Sequence, residues 1–277
     1  MKIAAVDLGG TTVKGARLYN GVIERRASAP TAAQSRETVL ASLDTVIGRL
    51  LPADAIALSS AGDIDPYRGV CTYATDNLPG FTGLDLKQHI EHTFGLPAAV
   101  INDGQAALLG EVTARASSVP VAMLTLGTGV GGAYYDGAQI VFGEDFTFGR
   151  FGHLPLHAGG LPCNCGRAGC IEAYVSGAAI ARTASRWGLT AGELFAAQTV
   201  DAARAADAYC RDLAEALERV HAVAPYELCI LGGGVTRSAK LWMPVLEKYT
   251  ARAVTVAMLG EDAGIFGAAQ WLQRRTV

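Results

Sequence analysis

No stretch of the 277-residue sequence is apolar for long enough to span a membrane. Positive charge is not in excess either: 23 Lys and Arg stand against 26 Asp and Glu, a formal net charge of -3, and no basic block is visible. That leaves no electrostatic case for nucleic acid as a partner. A disulfide framework is missing too. Six cysteines are few for a chain this long, and three of them cluster, so a reducing cytoplasmic compartment is expected. The opening MKIAAVDLGG breaks into Asp and Gly after a few apolar residues, which is too short for a signal peptide. Charged residues make up only 18% and hydrophobic ones 50%, so one large domain or two of ordinary size can bury a sizeable core.

What is present falls into an alternating order. KIAAVDLGGTTVKGARLYNGVIERRASA reads as a strand, a Gly-rich turn and two further strands. Val39, Leu43, Val46, Ile47 and Leu50 make a helical stripe over Arg36 to Leu50. Ala55 to Leu58 and Ala98 to Ile101 read as short buried strands, the second ending in Asn102-Asp103 before a helix from Gln105 to Arg115. Strands followed by helices imply an α/β sheet with parallel pairing. After Ser117-Ser118-Val119-Pro120 the order restarts: VAMLTLGTGVGGAYYDGAQI is again strand, Gly-rich turn, strand, as in a duplicated unit. Ala178 to Ala224 has helical spacing, LCILGGGVTRSA gives a strand, a glycine triplet and a helix start, and the C-terminal residues read as a helix. Two lobes follow: 1–117, joined by a helix over about 264–277, and 118–263.

Residues 153–170 read HLPLHAGGLPCNCGRAGC. One imidazole (His153) and three thiolates (Cys163, Cys165, Cys170) make a closed tetrahedral set suited to a structural Zn²⁺. Such a clip can knit a loop that has little apolar mass of its own.

Three glycine-rich turns each follow an apolar strand. They are Asp7-Leu8-Gly9-Gly10-Thr11-Thr12-Val13-Lys14, Gly127-Thr128-Gly129-Val130-Gly131-Gly132 and Gly232-Gly233-Gly234. Glycine lets a backbone approach a phosphate and turn its N–H groups toward it, so three such turns point to a nucleotide. None fits the P-loop or the dinucleotide fingerprint. Asp7, just ahead of the first turn, either holds Mg²⁺ through water or caps the turn. Asp103 stands at the carboxyl end of a strand, where ligands collect in α/β sheets. It has two open readings: a base taking a proton from a hydroxyl that attacks the γ-phosphate, or a cap on the helix from Gln105.

Taken in order, DLGGTTVKG, the Asn-Asp pair before a helix, LGTGVGGA and the run Gly152-His153 through Cys163-Asn164-Cys165-Gly166-Arg167-Ala168-Gly169-Cys170-Ile171-Glu172-Ala173-Tyr174-Val175-Ser176 resemble the ROK family of sugar kinases and regulators. The resemblance implies an α/β, two-lobed, actin-like (ribonuclease H-like) ATPase fold with a structural zinc loop. It implies ATP and a sugar as partners, Mg²⁺ and Zn²⁺ as cofactors, and a homodimer. By motif, Asp103 matches the catalytic base and Asn102 a neighbouring sugar ligand. His153 matches a residue on both zinc and sugar, and Glu172 a sugar-binding acid. Asn77, in Asn77-Leu78-Pro79-Gly80-Phe81, and Gly62 match sugar loops. Asp7, Gly9, Gly10, Thr11, Thr12, Lys14, Gly127, Thr128, Gly129, Gly131, Gly132, Gly233 and Gly234 fall on ATP. The family's regulators carry an N-terminal helix-turn-helix, and the phosphate motif here begins too early for one, which favours an enzyme.

One departure stands out. Where the family's kinases usually read G-E-x-G-H, this chain has Gly149-Arg150-Phe151-Gly152-His153. A guanidinium only donates hydrogen bonds, so the C1/C2 side of the sugar must be met differently. Arg150 is left to face an acetamido carbonyl, another C2 configuration, an anionic group or solvent. The expected activity is ATP-dependent phosphorylation of a hexose or N-acetylhexosamine at the 6-hydroxyl, with glucose and N-acetylmannosamine as the substrate class. A kinase for allose or a β-glucoside, and a non-catalytic sugar sensor, are the alternatives.

Overall fold

A computed structural model describes residues 1–275; the last two residues of the expected C-terminal helix lie outside them. The chain opens with β1 (Lys2–Leu8), β2 (Thr12–Tyr19), β3 (Val22–Pro30) and α1 (Arg36–Leu50). It continues through β4 (Ala55–Ser60), β5 (Asp63–Asp65), β6 (Val70–Tyr73), α2 (Leu86–Phe94), β7 (Ala98–Asn102) and α3 (Asp103–Ala114). Next come β8 (Val121–Leu126), β9 (Val130–Tyr135), α4 (Glu172–Val175), α5 (Gly177–Ala184), α6 (Ala191–Ala196) and α7 (Val200–Val223). The last elements are β10 (Leu228–Gly232), α8 (Ala239–Leu246), β11 (Val254–Val256) and α9 (Ala263–Arg275).

These elements form two compact α/β units. Among the described residues, unit 1 holds 1–117, 142–148 and 261–275, and unit 2 holds 118–141 and 149–260. Segment 142–148 follows β9 in the chain but packs with unit 1, where Phe142 and Phe146 meet Tyr67 and Phe142 also meets Trp271 of α9.

Unit 1 is built on a sheet in the order β3-β2-β1-β4-β7. The β1–β2 and β2–β3 pairs are antiparallel, and β1–β4 and β4–β7 are parallel. The period of two along β1 sorts its side chains. Ala4, Val6 and Leu8 join Val39, Leu43, Val46, Ile47 and Leu50 of α1 in the core. Asp7 lies on the opposite face, where Gly264 at the start of α9 comes so near that a Cβ there would stand 3.0 Å from Asp7 Oδ1. The helix starts where the stripe predicts, with Ser35 as its N-cap in a capping box with Thr38.

Unit 2 repeats the theme in the order β11-β10-β8-β9. The β8–β9 pair is antiparallel, while β8–β10 and β10–β11 are parallel. Two helical expectations change on folding. The stretch from Ala178 to Ala224 is not one run, because Gly188 turns left-handed (φ 67°) after α5 and α6 ends at Ala196. The glycine triplet does not open an α-helix directly: Gly234–Ser238 is a 3-10 turn, and α8 starts only at Ala239.

Candidate active site

In unit 1 the first phosphate turn is shorter than its motif. Thr12 and Lys14 belong to β2, so Gly9, Gly10 and Thr11 make the turn itself. Gly9 N–H donates to Thr12 O (3.1 Å). Thr31 braces the turn from outside, its hydroxyl donating to Gly9 O (2.6 Å) and its N–H to Thr11 O (2.9 Å). Among the described residues the N–H groups of Gly10 and Thr11 meet no protein acceptor, and both residues are exposed. Two adjacent free amides suit an anionic oxygen.

Asp7 stands one residue before the end of β1, opposite Lys14 on β2 and Ser59 on β4. Its Oδ1 accepts from the Ser59 hydroxyl (2.8 Å) and its Oδ2 lies 3.4 Å from Lys14 Nζ. With both oxygens already partnered, Asp7 fits Mg²⁺ held through the ion's own waters, the binding mode that this hard cation favours.

The capping reading of Asp103 is removed by its neighbour. Asn102 is the N-cap of α3, its Oδ1 accepting from Gln105 N–H (3.1 Å). Asp103 is therefore the first residue of the helix, and its carboxylate is released from capping. Its Oδ1 accepts from Gly104 N–H (2.8 Å) and Asn102 Nδ2 (3.0 Å), while Oδ2 has no partner among the described residues. The side chain is open to solvent, yet the protein around it thins its hydration and Asp7 adds a like charge. Lost hydration first, then the charge of Asp7, push Asp103 up to about 6.

The sugar-loop residues of unit 1 gather here. Asn102 Nδ2 also donates to Gly62 O (2.8 Å). Gly62 has φ 94°, and a Cβ there would sit 2.8 Å from Tyr73 O, so only glycine serves. Asn77 is exposed beside the turn, its Cβ 3.2 Å from where a Cβ on Gly10 would be.

In unit 2 the second turn is Gly127-Thr128-Gly129. Gly131 and Gly132 lie inside β9 rather than on the turn. Gly132 is a packing glycine: a Cβ there would come within 2.8 Å of Gly149 O and Met123 O and 2.7 Å of Phe151. Its absence lets the 3-10 turn Phe151–His153 settle on β9. Arg150 is exposed just ahead of that turn. The third turn lies against the end of β8, with Gly233 at φ 88° and the place of its Cβ 2.5 Å from Leu126 O.

His153, Cys163, Cys165 and Cys170 offer four ligand atoms that all lie within 4.8 Å of one another. Cys165 Sγ and Cys170 Sγ are 3.7 Å apart, and His153 Nδ1 is 3.7 Å from Cys163 Sγ. Four ligands at tetrahedral zinc, with Zn–S about 2.3 Å and Zn–N about 2.0 Å, stand about 3.6–3.8 Å apart. The set fits Zn²⁺. The loop is folded for it by left-handed Gly166 and Gly169 (φ 83° and 81°) and by Cys163 N–H donating to Arg167 O (2.8 Å). A hydrogen bond from Arg167 lowers the Cys165 thiol to about 6, while burial raises the Cys170 thiol to about 12, so only the first is readily a thiolate before a metal adds its charge. Two bonds tie the loop down: His157 Nε2 to Asp212 of α7 (2.7 Å) and Leu161 N–H to Tyr174 OH (2.7 Å).

Sequence reasoning passed over Ser59, Thr31 and Gly177, whose N–H donates to Gly127 O (2.6 Å) at the second turn. Ser59 carried a signal, a polar pair closing an otherwise apolar strand. Thr31 and Gly177 carried none, since each acts through a backbone atom of a distant turn.

The geometry agrees with what the chain resembles. The model of the ROK family matches residues 3–275. An N-acetylmannosamine kinase of Shigella flexneri is 31% identical over 291 residues, covering 97% of each chain. A glucokinase of Halalkalibacterium halodurans is 31% identical over 315 residues, covering 98% of this chain and 94% of the relative. The ROK hexokinase structure from Thermus thermophilus superposes with a TM-score of 0.79 at 27% identity, covering both chains in full at 100%. The expected two-lobed α/β fold is borne out by these likenesses. Among the described residues no helix is long and apolar enough to cross a membrane.

Proposed function

The chain belongs to the ROK family, and from that premise we propose that it is an ATP-dependent sugar kinase acting on a hexose or N-acetylhexosamine, at the 6-hydroxyl. Relatives of both classes, a glucokinase and an N-acetylmannosamine kinase, support the substrate range. One observation carries the chemistry: Asp103 is freed from capping by Asn102, keeps one oxygen unpartnered, and has its pKa pushed up to about 6.

Asp103 Oδ2 accepts the proton of the attacking hydroxyl. A base with a pKa near the working pH suits that transfer, being largely ionised yet still basic. Asn102 holds the carboxylate by its other oxygen, and with Gly62 and Asn77 gives unit 1 its sugar contacts. The free amides of Gly10 and Thr11 and the Lys14 ammonium receive phosphate oxygens. When bound at Asp7, Mg²⁺ neutralises charge on the triphosphate. In unit 2, Gly127, Thr128 and Gly129 form a second phosphate turn, which Gly233 and Gly234 extend. His153, whose Nδ1 faces Cys163 Sγ, would hold zinc through that nitrogen and leave Nε2 for a sugar hydroxyl, and Glu172 offers an acceptor from the same segment. Zn²⁺ is structural, since four protein ligands leave no open position for catalysis. Arg150 takes the place of an acceptor, so this enzyme reads the C1/C2 side by donating. The homodimer belongs to the same proposal.

An ADP-release assay over glucose, N-acetylmannosamine, allose and a β-glucoside, with metal analysis of the same preparation, tests this reading. ADP release with at least one sugar and one zinc per chain are expected. Sugar-induced thermal stabilisation with no ADP release would make the protein a sensor, and absence of zinc would remove the metal assignment.

A further inference from the structure

Glu172 does something in unit 2 that a sugar contact does not explain. It is the first residue of α4, two positions after the ligand Cys170. Its Oε2 accepts a hydrogen bond from Val130 N–H (2.9 Å), the amide that ends the second phosphate turn. A Cβ on Gly129 would overlap that same oxygen. Five residues further on, Gly177 N–H donates to Gly127 O (2.6 Å) at the other end of the turn. Inside, Gly127 N–H closes on Gly129 O (3.0 Å). The turn is thus gripped at both ends by the short stretch 172–177, and the amides of Thr128 and Gly129 are the ones that meet no protein acceptor among the described residues. The other carboxylate oxygen, Oε1, lies 3.9 Å from Cys163 Sγ, in the metal cluster.

We propose that Glu172 is a positioning residue for the nucleotide: one oxygen holds the second phosphate turn while the other faces the metal loop, so the sugar-side loop and the nucleotide-side turn share a single carboxylate. The inference rests on the kinase reading and deepens it. Its physical basis is that a turn of three small residues has little packing of its own. Glycine-rich backbone loses much conformational freedom on ordering, so without an external acceptor at Val130 N–H and a donor at Gly127 O, the two free amides would face the phosphates only part of the time. Preorganising them lowers the ordering cost of binding. Because one side chain serves both loops, the coupling is reciprocal: whatever fixes Glu172 from the metal side tightens nucleotide, and nucleotide tightens that side in return.

The test is calorimetric titration of the zinc-loaded protein with Mg·ADP, without sugar. Glu172→Ala removes the acceptor at Val130 N–H and is expected to weaken ADP by about tenfold, the worth of a hydrogen bond to a charged group. Glu172→Gln keeps an oxygen of the same reach and should bind ADP within about twofold of wild type, since the bond persists and only the charge is lost. Gly129→Ala pushes the carboxylate off the turn and should weaken ADP on its own. In the double variant with Glu172→Ala the two losses should not add, because the overlap has gone. Unchanged ADP affinity in Glu172→Ala, or simple additivity in the double variant, would overturn the inference. Zinc content and melting temperature of each variant are read alongside. Should Glu172→Ala lose its zinc, the Gly129→Ala and Glu172→Gln pair decides: equal ADP affinities in those two would overturn the proposal. A wild type that binds no Mg·ADP overturns the kinase reading and this inference together, whereas normal wild-type binding with unaffected variants overturns this inference alone.

Discussion

The two phosphate hairpins are one scaffold used twice, and they differ where charge is concerned. Each is an antiparallel pair whose first strand also pairs in parallel with the next strand of its sheet, β1 with β4 and β8 with β10. In each, the turn closes on its own carbonyl and leaves two adjacent amides without a protein acceptor, Gly10 and Thr11 in one and Thr128 and Gly129 in the other, among the described residues. Each is braced from elsewhere in its unit, by Thr31 in unit 1 and by Glu172 and Gly177 in unit 2. The difference sits one residue before the end of the first strand. Unit 1 has Asp7 facing Lys14, and unit 2 has Thr125 facing Gly131. The backbone presents a pair of open amides in both places. Only unit 1 adds Asp7 and Asp103, the carboxylates proposed above to serve the metal and the proton. On the proposed function, holding phosphate belongs to the shared scaffold, and transferring it belongs to side chains added to one copy.

The largest effect should follow from removing the side chain with no counterpart in unit 2. Asp103→Asn keeps the acceptor for Gly104 N–H and Asn102 Nδ2 but cannot take a proton. Turnover should fall by about 10²–10⁴-fold, the usual worth of a positioned general base, while sugar affinity measured by titration stays within about threefold of wild type, since the amide makes the same local bonds. Near-normal turnover would mean that the base is elsewhere and that the two units are more alike than the hairpins suggest.

A smaller effect should come from making the first hairpin resemble the second. Asp7→Thr removes the carboxylate proposed to hold Mg²⁺, and kcat should fall by about 10–100-fold, the loss of one charged contact to the ion. The same change has a separate signature in pH. The negative charge of Asp7 opposes ionisation of Asp103 and so contributes to its pKa of about 6. Without it Asp103 ionises at lower pH. The acid limb of kcat/KM, expected near pH 6 in the wild type, should therefore move down in the residual activity of Asp7→Thr. A limb that stays in place would detach Asp103 from Asp7 and leave lost hydration as the sole cause.

How much of this was legible in the sequence follows from what each residue acts through. The strand-turn-strand repeats could be read because Gly-rich punctuation and apolar runs are local patterns, and the His/Cys cluster because Cys163, Cys165 and Cys170 lie within eight residues. The helix beginning at Asp103 could not be started correctly. Asn and Asp are both good caps, and nothing local says which of two neighbours will serve. The turns were drawn too long at Thr12, Lys14, Gly131 and Gly132, because a glycine in a strand and a glycine in a turn look alike until their neighbours are known. Gly132 needs its missing side chain for Phe151 and Gly149, which are close in space and distant in the chain. The partnership of Glu172 with Val130, 42 residues away, lies wholly on the tertiary link of the argument and left no trace in composition or spacing.

The smallest expected effect concerns stability and runs against the activity. Folded Asp103 keeps its proton up to about pH 6, while the unfolded chain releases it near the usual aspartate value of 3.8. Between those limits the folded state binds more protons than the unfolded one, so the contribution of this group to stability falls as pH rises through that window. An amide at the position has no charge to develop. Asp103→Asn should melt higher than wild type at pH 7, because the wild-type carboxylate must ionise there against the lost hydration and the charge of Asp7 that raise its pKa. The gap should close below about pH 4, where wild-type Asp103 is protonated and the two side chains become nearly isosteric. Melting curves at several pH values read this directly. A gap that persists at low pH would have its origin in packing, and a wild type more stable than the variant at pH 7 would show that the hydrogen bonds from Gly104 and Asn102 outweigh the charge of Asp7. The feature that separates unit 1 from unit 2 would then cost the fold nothing.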